Sequence, residues 1–291
     1  MDNEQEKKRA TGIGFLAILL WGMLALLTTL AGEIPPFQLT SITFFIAFLV
    51  GIAVYIKSGI DFSIFKQPLS VWLNGIIGLF GYHAVYFMAL QHAPSIEASL
   101  INYLWPILIV LFSAFLPGER LRWFHAAGVV LGFGGVAALL MRDGFAIKGQ
   151  YALGYGLALL CAVIWAAYSV ISRKMRSVPT MLIGAYCGAV AVLSLICHLL
   201  FEKTAPIAGT QWVYVIAMGL GPVGAAFFVW DHGVKKGNIK LLGTLSYTAP
   251  LLSSIMLLAF GEAKFSIGLL VACALIVAGS LVTALDRLLK T

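Results

Sequence analysis

Two stretches of this chain set hydrogen-bonding and aromatic side chains inside apolar sequence, where lipid offers them no partner. Residues 102–106 read NYLWP and interrupt the nearly charge-free run Ile96 to Leu116. Residues 81–87 read GYHAVYF. On a helix Tyr82 and Tyr86, four apart, share a face, and His83 stands about 100° round from Tyr82. An ionisable residue at membrane depth marks a functional position by default; the plain alternative is a histidine satisfied by a helix carbonyl. Tyr103 and Trp105 sit too deep for an interfacial belt, and their donors, beside Asn102, need partners. A pocket explains them better than lipid contact. Aromatic walls stack on flat or apolar side chains, while Asn102, His83 and tyrosine hydroxyls can orient an amino-acid head group. The same walls would hold an organic cation by cation–π attraction. Trp165, followed by Tyr168 and Ser169, is a further cavity candidate.

These residues must be carried by membrane-spanning helices. The chain has 291 residues, 61% hydrophobic and 11% charged, with mean hydropathy +0.97, outside the range of an ordinary soluble domain. A bilayer core needs about 20 mostly apolar residues per helix. Ten such stretches can be marked off: 12–31, 37–56, 71–90, 97–115, 123–141, 151–172, 180–201, 212–230, 239–260 and 266–286. The alternating ten-residue segments of a transmembrane β-barrel are absent, so the expected fold is all-helical. The connections are short, which places the function among the helices. The first apolar run has no A-x-A cleavage signal and reads as a retained span.

The net charge of +7 invites a nucleic-acid reading, but basic residues in membrane proteins report topology. The N-terminus, the even-numbered loops and the C-terminus together hold 15 Lys and Arg, counting Lys240 at the start of the ninth span with the eighth loop, against four in the odd-numbered loops. Both termini are therefore expected in the cytoplasm. Charges inside the spans are nearly absent. Glu97, Glu119, Asp231 and Glu262 sit at helix ends, and Asp231, four before Lys235, reads as a surface pair. No buried carboxylate relay is visible. His92, His125, His198 and His232 lie near span ends or in loops, and the four cysteines, Cys161, Cys187, Cys197 and Cys273, lie in apolar runs without C-x-x-C spacing. No metal or disulfide is expected. A G-x-x-x-x-G-K-[ST] loop is missing, so ATP-driven transport is unsupported.

Sliding the chain on itself by 144 positions aligns Trp21 with Trp165, Pro35 with Pro179, Gly75 with Gly219, Tyr103 with Tyr247, Pro106 with Pro250 and Gly135 with Gly279. The Gly-Glu pairs at 118–119 and 261–262 align after a one-residue gap. Two halves of five helices follow, and five being odd, the halves are inverted, a recurring device of secondary transporters. Pro106 and Pro250 fall near the midpoints of the fourth and ninth spans; each removes a backbone N–H, so both helices should kink or open there as paired hinges. Gly75, Gly78 and Gly81, like Gly219, Gly221 and Gly224, serve either packing or hinging.

Ten helices in two repeats, each with a midspan proline, a Gly-Glu turn (PGERL, FGEAKF) and a glycine-studded last helix, resemble the EamA-type branch of the drug/metabolite transporter superfamily. Within it, GYHAVYFMALQ followed by NYLWP resembles the bacterial aromatic amino-acid exporters. The resemblance implies a basket-like ten-helix protein of the bacterial inner membrane: an N-terminal tail 1–11, repeats 12–141 and 151–287, a connecting loop 142–150 and a C-terminal tail 288–291. It implies export of phenylalanine, tryptophan and tyrosine, with threonine and methionine, by alternating access, without cofactor, ATP or enzymatic activity. It carries substrate contacts onto Tyr82, His83, Tyr103, Trp105 and Trp165; Tyr86 and Asn102 join them from their positions. The second repeat departs from the first, with Phe227 opposite His83 and Ala249 opposite Trp105, so the cavity should be chemically asymmetric. Export of drug-like cations is the alternative. A sugar-phosphate carrier would need Lys or Arg at depth. The sequence leaves the oligomeric state open and is compatible with a monomer.

Overall fold

The computed structural model describes residues 2–59, 61–118, 121–140, 148–261 and 267–288. Glu119 and Glu262 of the two Gly-Glu turns, most of the 142–150 connection, the last three residues and the side chain of Cys273 lie outside the described residues. Those described form helices and no strand: α1 Asp2–Gly22, α2 Leu24–Ala31, α3 Pro36–Lys57, α4 Leu69–Ile76, α5 Tyr82–His92, α6 Ser95–Asn102, α7 Trp105–Ser113, α8 Trp123–Leu140, α9 Ala152–Lys174, α10 Leu182–Phe201, α11 Gln211–Leu220, α12 Ala226–Lys236, α13 Ile239–Leu245, α14 Thr248–Ala259 and α15 Ile267–Leu288. Among the described residues seven helical stretches are long and apolar enough to cross a membrane: Glu4–Ala31, Pro36–Lys57, Leu69–His92, Gly149–Lys174, Leu182–Phe201, Gln211–Lys236 and Ile239–Ala259. Shorter apolar stretches cover Glu97–Ser113, Trp123–Ala138 and Leu270–Thr283. The chain is a multi-pass membrane protein.

The first helix begins ten residues before its apolar stretch, because Glu4 and Lys8, four apart, favour a helix through the charged segment. The prolines open their helices fully. Pro106 is the second residue of α7, after a break at Tyr103 and Leu104; Pro250 is the third residue of α14, after a break at Ser246 and Tyr247. A first-turn residue has no intrahelical partner for its N–H, so proline costs nothing there.

Two π turns interrupt other helices. Ile77–Gly81 joins α4 to α5 and Gly221–Ala225 joins α11 to α12, and the two segments are 144 residues apart. Each ends in a backbone bond spanning five residues, from Tyr82 to Ile77 and from Ala226 to Gly221. One extra residue in a turn rotates everything after it by about 100°. The glycines nearby admit bulky neighbours: a Cβ on Gly75 would strike the Tyr186 ring and one on Gly78 the Tyr168 ring, whereas Gly81 meets only ordinary contacts. Packing therefore accounts for Gly75 and Gly78. Elsewhere Gly14 of α1 lies against Gly233 of α12, and α8 meets α15 through Gly128, Gly135 and Gly279, the close approaches that small residues permit between membrane helices.

One end of the bundle is tied by Glu202. Its carboxylate accepts the Phe37 and Gln38 N–H groups at 2.9 and 3.0 Å, capping the start of α3, and meets His198 Nδ1 at 2.9 Å. Gln38 exchanges two bonds with the Ala205 backbone, and Gln211 donates to the Ala31 carbonyl. Glu202→Ala is expected to lower stability by about 1–3 kcal/mol, since it removes a charged N-cap and a half-buried acceptor together. Thermal unfolding in detergent measures this; an unchanged midpoint would show that the knot contributes nothing.

Candidate functional site

Between α1, α5, α6, α7, α9 and the second π turn lies a cavity of about 230 Å³. Tyr82, His83, Tyr86, Asn102, Tyr103, Trp105 and Trp165, the seven residues singled out in the sequence, all line it. Trp21, Leu24, Ser99, Pro222, Val223, Phe227 and Ala249 complete the wall. Among the described residues no Lys, Arg, Asp or Glu does so.

The helix breaks place these side chains. The opening before Pro106 sets Asn102 at the end of α6 and Trp105 at the start of α7, three residues apart but on separate helices. The first π turn ends at Gly81, so it fixes the direction of Tyr82, His83 and Tyr86. Each π turn also supplies a carbonyl to a ring that lines the cavity: Leu79 O lies 2.7 Å from His83 Nδ1, and Pro222 O accepts from Trp21 Nε1 at 3.1 Å. A carbonyl only accepts, so His83 carries its proton on Nδ1, and a neutral ring keeps Nε2 as an acceptor. The simple alternative for His83 is thus partly met, by its own helix, while the ring still faces the cavity.

The cavity is chemically two-sided. One side is a web of edge-on and tilted rings: Trp21 lies 5.6 Å from Trp165, 6.3 Å from Trp105 and 5.1 Å from Trp230, and Trp165 lies 5.5 Å from Tyr82. Phe227 closes this side against Phe44, Trp21 and Trp165. Such pairs each add about 0.5–1.5 kcal/mol beyond area burial, so the wall is stiff. The other side is polar. Asn102 Nδ2 donates to the Tyr82 hydroxyl at 2.9 Å, and the Tyr86 hydroxyl bonds Ser99 Oγ at 2.9 Å. Asn102 Oδ1 is buried and has no hydrogen-bond partner among the described residues. The polar side chains at the cavity come from residues 82–103 of the first half; at the offset of 144 Phe227 stands for His83 and Ala249 for Trp105, and both line the cavity, so its two halves differ in chemistry.

Of the lining residues, Trp21, Leu24, Ser99, Pro222 and Val223 were not assigned to the site from sequence, and Phe227 and Ala249 entered only as the counterparts of His83 and Trp105. Trp21 carried a usable signal, its alignment with Trp165; the others look like ordinary residues of a membrane span. Tyr168 and Ser169, by contrast, do not reach the cavity: Tyr168 packs on Gly78, and Ser169 Oγ accepts from the Trp230 indole at 3.2 Å.

Toward the N-terminal end of α1 the cavity is closed. Trp230 is fully buried at 0% exposure, as are Ile18 and Val234, and a polar lock lies beyond them. Asp231 and Lys235 correct the expected surface pair: they are 2% and 6% exposed, with Nζ to Oδ2 2.7 Å. Thr180 donates to Asp231 Oδ2 at 2.6 Å, Lys235 to Val178 O at 2.9 Å, and Arg173 to the carbonyls of Val234, Lys235 and Gly237. The i,i+4 spacing was legible; the burial arises because α1 crosses α12 at the Gly14–Gly233 contact and the residues around Val178 and Thr180 bond to the pair from the other side. Among the described residues no group of three His, Cys, Asp or Glu could hold a metal ion.

A multi-pass helical protein enclosing an uncharged, aromatic cavity deep among its helices belongs to the class of membrane transporters. The chain is a member of the EamA-like transporter family, whose profile matches it twice, over residues 9–141 and 152–285. It is 52% identical over 281 residues to the aromatic amino acid exporter YddG of Ancylobacter novellus, covering 96% of this chain and 98% of that protein. The protein of the same name from Escherichia coli is 25% identical over 300 residues, covering 94% and 96%. A solved crystal structure 51% identical to the chain superposes with a TM-score of 0.94, covering 98% of this chain and all of that one.

Proposed function

We propose that this protein exports aromatic and other apolar amino acids, phenylalanine, tryptophan and tyrosine with threonine and methionine, across the bacterial inner membrane by alternating access. Asn102 Oδ1 carries the reading. An unpartnered acceptor beside a cavity is costly unless a ligand donor meets it, and an α-ammonium group is such a donor. Tyr82, His83 and Tyr86 complete a polar edge for the head group, and the tryptophans receive the side chain. The volume of about 230 Å³ lies below the roughly 300–1,000 Å³ of drug-sized sites, which favours a single amino acid over a bulky organic cation. The name of the 52% identical relative agrees.

Alternating access rests on ten spans in two inverted five-helix repeats, residues 12–141 and 151–287, with both short tails, 1–11 and 288–291, in the cytoplasm. Packing supports this. The offset of 144 maps the Gly14–Gly233 contact onto Ala158 and Ala89, which are buried in one cluster. It also maps the approach of Gly279 to the Gly128 carbonyl onto that of Gly135 to the Ala272 carbonyl. Contacts that exchange in this way are what a two-fold axis produces. The breaks before Pro106 and Pro250 serve as the paired hinges.

Counterflow in proteoliposomes tests the reading: vesicles preloaded with unlabelled phenylalanine should accumulate labelled tryptophan, threonine and methionine. Accumulation of an organic cation alone would transfer the assignment to drug export. Asn102→Leu should raise the KM for amino acids about tenfold or more, the loss of one hydrogen bond to a charged group; an unchanged KM would remove Asn102 from the site.

A further inference from the structure

A second, larger cavity lies at the end of the bundle that carries the N-terminus. Its volume is about 630 Å³, within the range of small-molecule sites. Three segments distant in sequence build it: residues 6–13 of α1, the end of α9 with Arg176 just beyond it, and the last turns of α12. Six cationic side chains converge on it, Lys7, Arg9, Arg173, Arg176, Lys235 and Lys236, with His232 and one carboxylate, Glu6.

A positive-inside bias explains why Lys and Arg are frequent near this end. It does not explain their convergence from three segments on one hollow, where like charges repel. Two of the six are fixed in the wall: Arg173 by the three carbonyls ending α12, and Lys235 by Asp231 and Val178. The other four, Lys7, Arg9, Arg176 and Lys236, have no carboxylate partner among the described residues, and Arg9, Arg176 and Lys236 are exposed. A positive wall held by hydrogen bonds and fringed by long, exposed cations suits a phosphoryl anion, and basic pockets between membrane helices hold anionic head groups in this way.

We propose that this cavity is a binding site for a phosphoryl anion. Occupancy bridges α1, α9 and α12, the helices that carry Trp21, Trp165 and Trp230, and so stabilises the closed arrangement of this end. The proposal is independent of which substrate the central cavity takes.

The test is thermal unfolding of the full-length protein in neutral detergent with inorganic phosphate, phosphatidylglycerol or, as control, phosphatidylcholine. The wild type is expected to gain about 2–4 °C with phosphatidylglycerol and nothing with phosphatidylcholine. The variant Arg9→Gln/Arg176→Gln/Lys236→Gln should lose the gain. If inorganic phosphate gives the same gain, the ligand is a soluble phosphoryl compound; if only phosphatidylglycerol does, it is a lipid head group. Absence of a gain from either, or a gain that survives the triple variant, overturns the proposal. Should the triple variant not fold, the single reversal Lys236→Glu at an exposed position gives the same comparison.

Discussion

Replacing Trp105 by alanine is expected to reduce tryptophan counterflow about 10- to 100-fold in kcat/KM and to flatten the preference among aromatic and aliphatic amino acids. Trp105 stands at the junction of the two sides of the cavity. Its ring meets Trp21 at 6.3 Å, Trp165 at 6.3 Å and Trp230 at 5.9 Å, all nearly perpendicular, and its backbone begins the helix that follows the break. Buried aromatic anchors in desolvated pockets dominate recognition, and truncating one costs roughly 1.4–2.7 kcal/mol for the range given. Removal of a buried tryptophan also threatens the fold, with about 3–5 kcal/mol at stake. The informative readout is therefore the preference between substrates, which is independent of the amount of folded protein, with Trp105→Phe as the variant that keeps a ring. If Trp105→Ala leaves both rate and preference unchanged, the pocket assignment is wrong.

Asp231→Ala should be the most destabilising single change in the polar lock. It leaves Lys235 as a buried cation with only the Val178 carbonyl, and breaking a buried pair from one side costs about 3–5 kcal/mol. Thr180 loses its acceptor at the same time. The double variant Asp231→Ala/Lys235→Met should recover most of the loss, because the desolvation cost of both charges disappears together. Unfolding midpoints of the wild type, single and double variants decide this. Equal midpoints for all three would mean that water reaches the pair and that the end of the bundle is open.

Much of the site could be read from residue types alone. Tyr82, His83, Asn102, Tyr103 and Trp105 stood out because lipid cannot satisfy phenol, indole, imidazole or amide groups, so their presence at depth required an interior. The same reasoning could not find Leu24 or Val223, since an aliphatic side chain satisfies lipid, core and pocket equally. It also failed for Tyr168 and Ser169, which have polar atoms but spend their positions on packing against Gly78 and on the indole of Trp230.

Composition and hydropathy by themselves determined a helical membrane protein, because backbone groups in hydrocarbon must bond within their own segment. The spacing of prolines, glycines and aromatics at one offset determined where the helices open. What required the tertiary structure is anything set by crossings between distant segments. The π turns at 77–81 and 221–225 have no residue signature that separates them from flexible glycine, and they decide which way the following rings point. The spacing of Asp231 and Lys235 is the same on a surface as in a core, and only the α1–α12 crossing, with the bonds from Thr180 and to Val178, buries them. Basic residues counted along the chain report orientation; their convergence on a single cavity exists only once α1, α9 and α12 are brought together.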